Sequence, residues 1–335
     1  PRATLLMGSP AQKTEHALTE TAAEPPKKSP LGKAIGFILV TVLIYLGFSV
    51  YTGLGKMRGA LETFHWWTFA AACALALGNY LLRFLKWEFY LAKLDVRGVP
   101  KFDSLLAYLS GFVLTITPGK VGEAYKSVVL HDRFGIPVAR TAPIVLAERV
   151  TDVLGIVILI VVGSFGIPGG LLWAGVGGAL VFTIVAAIAS EPLSMFLIGI
   201  VEKLPFGAKI APKAREAHAS LSVLLAPKNL IIPGLLSVVA WSLECLSLWV
   251  ILFGFGEKVP PIPCTFFYAT ATLAGAIVPV GATEVGLFTQ MQAYGVQDSH
   301  NTAAMILVRF ATLWFAVLVG FAALSILRLR PIAKR

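Results

Sequence analysis

The chain has 335 residues, 57% of them hydrophobic and only 14% charged, with a mean hydropathy of +0.79. Its apolar residues are gathered into runs of about 20, the length that crosses a bilayer core, and this excludes an ordinary soluble fold. The formal net charge of +10 does not point to nucleic acid, because the basic residues cluster between apolar runs, where they set topology and meet anionic headgroups.

In chain order, residues 1–30 are polar and Pro-rich without helical periodicity, and read as a disordered cytoplasmic tail. Residues 31–330 read as one transmembrane domain. Its long apolar runs are about 34–54, 66–85, 141–164, 170–190, 230–254 and 302–327, with two shorter ones at about 103–118 and 264–280. Cys73, Cys245 and Cys264 lie in apolar runs and show neither metal spacing nor a disulfide framework. The histidines (His16, His65, His131, His218, His300) include no pair at ligand spacing, so no metal and no cofactor are expected.

The two shorter runs lead into related sequences, LLAYLSGFVLTITPGKVGEAYK at 105–126 and FFYATATLAGAIVPVGATEVGL at 266–287. Pro118 and Pro279 are 161 residues apart, and so are Glu123 and Glu284. If all eight runs crossed the membrane, the basic segments 119–140 and 202–229 would face outside, against the positive-inside tendency. Six spanning helices plus two re-entrant helical hairpins remove the conflict and place both termini in the cytoplasm. The resulting expectation is an all-α integral membrane protein built from inverted repeats. Repeat one covers about 66–164 and repeat two about 230–327. Re-entrant backbone is tolerated only where protein buries it or it lines a polar cavity, and broken helices meeting near the midplane are a transporter architecture.

Charges inside apolar runs are costly and mark function or internal pairing. Glu148 and Asp152 are four residues apart and share one helix face, whereas Arg149 lies about 100° around the helix. Arg309 sits in MILVRFATLWF with no acid on its own helix, so it needs a partner such as Glu123, Glu284 or Glu244, or an anionic ligand. Guanidinium is the preferred group for phosphate. At the 161-residue offset Arg83 falls opposite Glu244, and Arg149 within one residue of the position matching Arg309. Lys120 stands at the Pro-Gly turn of the first motif. The segment NYLLRFLKWEFYLAK at 79–93 reads either as an aromatic and basic interfacial anchor or as an entry site for an anionic headgroup. Small residues near 174–180 pack helices within one chain or between chains, which leaves a homo-oligomer open.

LRFLKW (82–87), TPGKVGEAYK (117–126), the ER-x-x-D helix (148–152) and PVGATEVG (279–286) together resemble the transmembrane region of lysylphosphatidylglycerol synthases, over about residues 33–330. The second motif departs from the family's more glycine-rich turn but keeps Glu284. The resemblance implies a flippase-like protein of the cytoplasmic membrane. It also implies a stand-alone member without the aminoacyl transferase domain, and therefore without synthase activity. Arg83, Lys120, Glu123, Glu148, Arg149, Asp152 and Glu284 carry over as site residues; Arg309 joins them from its position in the chain. The leading expectation is a lipid flippase, not an enzyme, moving an anionic lipid such as an aminoacylated phosphatidylglycerol or a polyprenyl-phosphate-linked sugar. The alternatives are a secondary transporter of a small solute or ion and a membrane-embedded lipid-linked sugar transferase.

Overall fold

The computed structural model describes residues 54–115, 123–172, 174–175, 177–179, 183, 207–277 and 281–330. Its regular elements are helices, with no strand among the described residues. In chain order they are α1 (Leu54–Glu62), α2 (Trp66–Lys93), α3 (Lys101–Ser110) with a 3₁₀ turn at Gly111–Leu114, and α4 (Tyr125–Phe134). Then come the short α5 (Val138–Thr141), α6 (Pro143–Ser164), α7 (Gly207–Leu225), α8 (Pro227–Gly254), α9 (Pro261–Ile277) and α10 (Ala282–Ala293). The last are α11 (Asp298–Arg309), a π turn (Phe310–Trp314) and α12 (Phe315–Leu329).

Among the described residues, three helices are long and apolar enough to cross a membrane: α2, α8 and the continuous rod Asp298–Leu329. The protein is therefore a multi-pass membrane protein. Helix α6 is about 33 Å long at 1.5 Å per residue, but Glu148, Arg149 and Asp152 interrupt its apolar surface. The predicted run 34–54 lies outside the described residues, as does most of 170–190.

Helices α2 and α8 have 28 residues each and begin and end 161 positions apart. They pack along each other more extensively than any other pair among the described elements. The His65 amide donates to the Gly254 carbonyl at 3.1 Å, Asn79 Nδ2 to the Ala240 carbonyl at 2.7 Å, and Lys86 Nζ to Ser237 Oγ at 2.8 Å. Numbers rise along one helix as they fall along the other, so the pair is antiparallel. Asn79 and Ala240 are themselves 161 apart, so the helices cross at equivalent positions.

Each short apolar run forms one limb of a helical hairpin. In the second, Thr270 Oγ1 on α9 lies 2.9 Å from Gln290 Oε1 on α10. Gly281 turns the chain at φ +77°, a conformation open to glycine and strained for most other residues. In the first, a Cβ at Gly111 would stand 3.5 Å from the Glu123 carbonyl oxygen. The last helix of each half clasps the hairpin of the other: α9 lies on α6, while α3 and its 3₁₀ turn lie on α12. Glycines permit both contacts. A Cβ at Gly163 would lie 2.5 Å from the Phe266 nitrogen, and one at Gly320 would lie 2.7 Å from the Val113 nitrogen. Gly163→Ala and Gly320→Ala are each expected to cost about 1–3 kcal/mol by overpacking. Thermal melts in detergent check this, and a melt at the parent temperature would show that the helices slide apart without penalty.

Candidate functional site

Asp152 on α6 ties three helices together. Its carboxylate accepts from Lys86 Nζ at 2.5 Å and from Arg83 Nη2 at 3.2 Å, both on α2, and from Ser237 Oγ on α8 at 3.1 Å. Arg149 Nη1 stands 3.8 Å away on the same helix. One turn earlier, Glu148 Oε2 accepts from Lys126 Nζ of the first hairpin at 2.5 Å. The Lys126 ammonium also lies 4.4 Å from the Trp87 ring centroid and 5.1 Å from that of Tyr108, within cation–π range. Lys86, Lys126, Glu148 and Asp152 are sealed from solvent, each side chain at most 3% exposed. Such pairs hold elements in place, because a buried charge is tolerated when another charge answers it.

Two further ion pairs are built differently. Glu123, at the start of the second limb of the first hairpin, accepts from Arg149. Glu284 lies in the first turn of α10, where the helix dipole favours a carboxylate, and accepts from Arg309 Nε at 2.8 Å. These are duplicated positions carrying the same pair of groups. The Arg149 and Arg309 side chains are 25% and 18% exposed, against 8% for Arg83. The two guanidinium groups are thus the open ends of the charged network.

Glu244 on α8, the counterpart of Arg83, is buried and accepts from the Tyr268 hydroxyl at 2.8 Å. That hydroxyl is 3.2 Å from Thr312 Oγ1, and the Tyr80 hydroxyl donates to the Thr312 carbonyl at 3.1 Å. Among the described residues, Arg83, Lys86, Lys126, Arg149 and Arg309 are each paired with one of Asp152, Glu148, Glu123 and Glu284. An arriving anion therefore competes with a carboxylate for the arginines.

Of the residues singled out in the sequence, Arg83, Arg149 and Asp152 come together, with Glu123 and Glu148 adjoining. Glu284 and Arg309 form the second pair. Lys120 lies outside the described residues. Sequence reasoning missed Lys126 and misplaced Lys86. In the sequence Lys126 falls in the basic segment 119–140, and Lys86 in the segment 79–93 that reads either as an interfacial anchor or as a headgroup entry site. The available signal was spacing, because Lys86 follows Arg83 by three residues and so shares its helix face. Interfacial anchoring of 79–93 fails for Arg83, Lys86, Trp87 and Tyr90, all of which are buried. Lys93 is exposed near the helix end, with its ammonium 5.1 Å from the Phe89 ring centroid.

Comparison with known proteins follows the same outline. The chain is 22% identical to a UPF0104 membrane protein of Methanocaldococcus jannaschii, over 92% of this chain and 98% of that protein. It is 20% identical to a UPF0104 membrane protein of Methanothermobacter thermautotrophicus, over 86% and 92% of the two chains. To another protein of that name and organism it is 24% identical, over 41% of this chain and 44% of the relative. Residues 34–320 match the family described as the lysylphosphatidylglycerol synthase TM region. This match spans both hairpins and every charged residue described above, and the chain belongs to that family.

Proposed function

We propose that the protein moves an anionic, phosphate-bearing lipid between the leaflets of the cytoplasmic membrane. One observation carries the reading: two glutamate–arginine pairs stand at duplicated positions, and their arginines are the most open of the network's cations. A guanidinium binds phosphate through two parallel hydrogen bonds. The headgroup is held by Arg149 and Arg309 while the acyl or prenyl tails remain in the bilayer. Glu123 and Glu284 occupy the arginines when the site is empty. Movement is downhill or coupled to an ion.

The antiparallel crossing at Asn79 and Ala240 supports reading the two halves as inverted repeats, since a twofold axis relating antiparallel helices runs across them. In this reading the hairpins enter the membrane from opposite sides. The same reading places both termini in the cytoplasm, which the loop charges support.

The test is reconstitution into proteoliposomes with headgroup-labelled phosphatidylglycerol, its lysyl ester, or a short polyprenyl phosphate. Access of a membrane-impermeant quencher to the label reports movement. Faster movement of one lipid than in protein-free vesicles is the expected result and names the substrate class. If folded protein moves none of the three, the lipid reading fails. Uptake of a water-soluble solute under an ion gradient would put a secondary transporter in its place.

A further inference from the structure

The two halves keep a 161-residue offset at the Pro-Gly-Glu motifs, but the left-handed Gly135 and Gly295 that follow the hairpins are 160 apart, and the offset returns to 161 within the next helix. In the first half, Arg149 is followed by Val150 and Thr151 on unbroken α-helix, and Thr151 Oγ1 donates to the Ala147 carbonyl at 3.1 Å. In the second, Arg309 is followed by Phe310, Ala311 and Thr312, and Thr312 Oγ1 donates to the Val308 carbonyl at 2.8 Å. Thr151 and Thr312 are 161 apart, as are Glu123 and Glu284, but Arg149 and Arg309 are 160 apart. The second half therefore holds one residue fewer between its glutamate and its arginine, and one more between its arginine and its threonine.

An extra residue in a regular α-helix would rotate everything on one side of it by about 100°. Here the helix opens into a π turn at that place, with the Phe315 amide reaching the Phe310 carbonyl, five residues back instead of four. The wider turn takes up the added residue and leaves both flanks in phase. Upstream, Arg309 stays on Glu284, as Arg149 stays on Glu123. Within the turn, Thr312 stays within reach of Tyr268 and Tyr80, whose hydroxyls give this irregular backbone and its threonine polar partners inside the protein. The added residue can be identified. Ala311 is buried like Val150, its neighbour-for-neighbour match, whereas Phe310 is 40% exposed.

We propose that Phe310 is the extra residue of this stretch and that the π turn absorbs it, so that Arg309 keeps toward Glu284 the place that Arg149 keeps toward Glu123. The register argument needs only the duplication. Its consequence for transport rests on reading Arg309 as a headgroup-binding residue.

The inference makes an unusual demand: deleting Phe310 from the middle of a spanning helix is tolerated, because it leaves Arg–Ala–Thr where the first half has Arg–Val–Thr. Deleting Val150, which has no π turn to close, is not tolerated. In the full chain with its three cysteines replaced by alanine, Glu284→Cys and Arg309→Cys are treated in membranes with a short bifunctional thiol reagent. Glu123→Cys and Arg149→Cys are treated in the same way. Cross-linking of the 284/309 pair is expected to stay within about twofold when Phe310 is deleted, because neither flank rotates. Cross-linking of the 123/149 pair is expected to fall at least about tenfold when Val150 is deleted, or the protein to misfold, because one flank turns by about 100°. Loss of the 284/309 cross-link in the Phe310 deletion would overturn the proposal. So would misfolding of that deletion beside a folded parent. Cross-linking does not depend on transport, so a failed lipid reading would leave this result standing.

Discussion

Asp152→Asn is expected to destabilise the detergent-solubilised protein by about 3–5 kcal/mol, the usual cost of leaving a buried charge unanswered. Asp152 neutralises Lys86 and Arg83 at once, and these side chains are 1% and 8% exposed. Without the carboxylate, two cations from one helix face each other in a place water does not reach. Asparagine keeps the shape and one acceptor, so the loss reads the charge and not a cavity. Adding Lys86→Met to Asp152→Asn is expected to recover part of the stability, because one of the stranded cations is gone. Thermal or denaturant melts of the four combinations measure the coupling directly. A single mutant within about 0.5 kcal/mol of the parent, the range of ordinary surface substitutions, would mean that water reaches the cluster.

The sequence made the duplicated motif legible because glycine, proline and glutamate in an apolar run are rare enough to align by eye. For Arg309 the sequence leaves Glu123, Glu284, Glu244 or an anionic ligand open as partner, and for Arg149 it names none; the structure pairs Arg309 with Glu284 and Arg149 with Glu123. Much of the rest could not be read. Glu148 and Asp152 share a helix face, yet Glu148 bonds the first hairpin while Asp152 bonds α2 and α8. Which element stands opposite each is decided by tertiary packing, and no local spacing encodes that. Lys126 was hidden for the same reason: a lysine shortly after a Pro-Gly turn looks like a loop charge until Trp87, Tyr108 and Glu148 are seen to enclose it. The one-residue mismatch between Arg149 and Arg309 was visible in the sequence but had no meaning without the backbone. Only the π turn shows that the discrepancy is compensated and not noise.

Arg149→Ala and Arg309→Ala are each expected to slow lipid movement by about 10- to 100-fold, the effect of losing 1.5–3 kcal/mol of charge-assisted hydrogen bonding to a phosphate. Lysine at either position should restore part of the rate, since it keeps the charge but loses the two-pronged geometry. The carboxylate partners predict a different pattern. Glu284 holds Arg309 in the empty protein, so a headgroup must displace it. Glu284→Gln removes the competitor and is expected to tighten headgroup binding while slowing release, which lowers half-saturation and maximal rate together. Two structural ion pairs would behave otherwise: Arg309→Ala and Glu284→Gln would both lower stability and leave half-saturation unchanged. Quencher-access kinetics at several lipid densities, run beside melts of the same variants, separate the two cases. The separation works because the competing carboxylate sits on the hairpin and the arginine on the helix behind it. Under the lipid-transport proposal, a headgroup that breaks the pair would also free the hairpin from that helix, which would join substrate binding to hairpin movement.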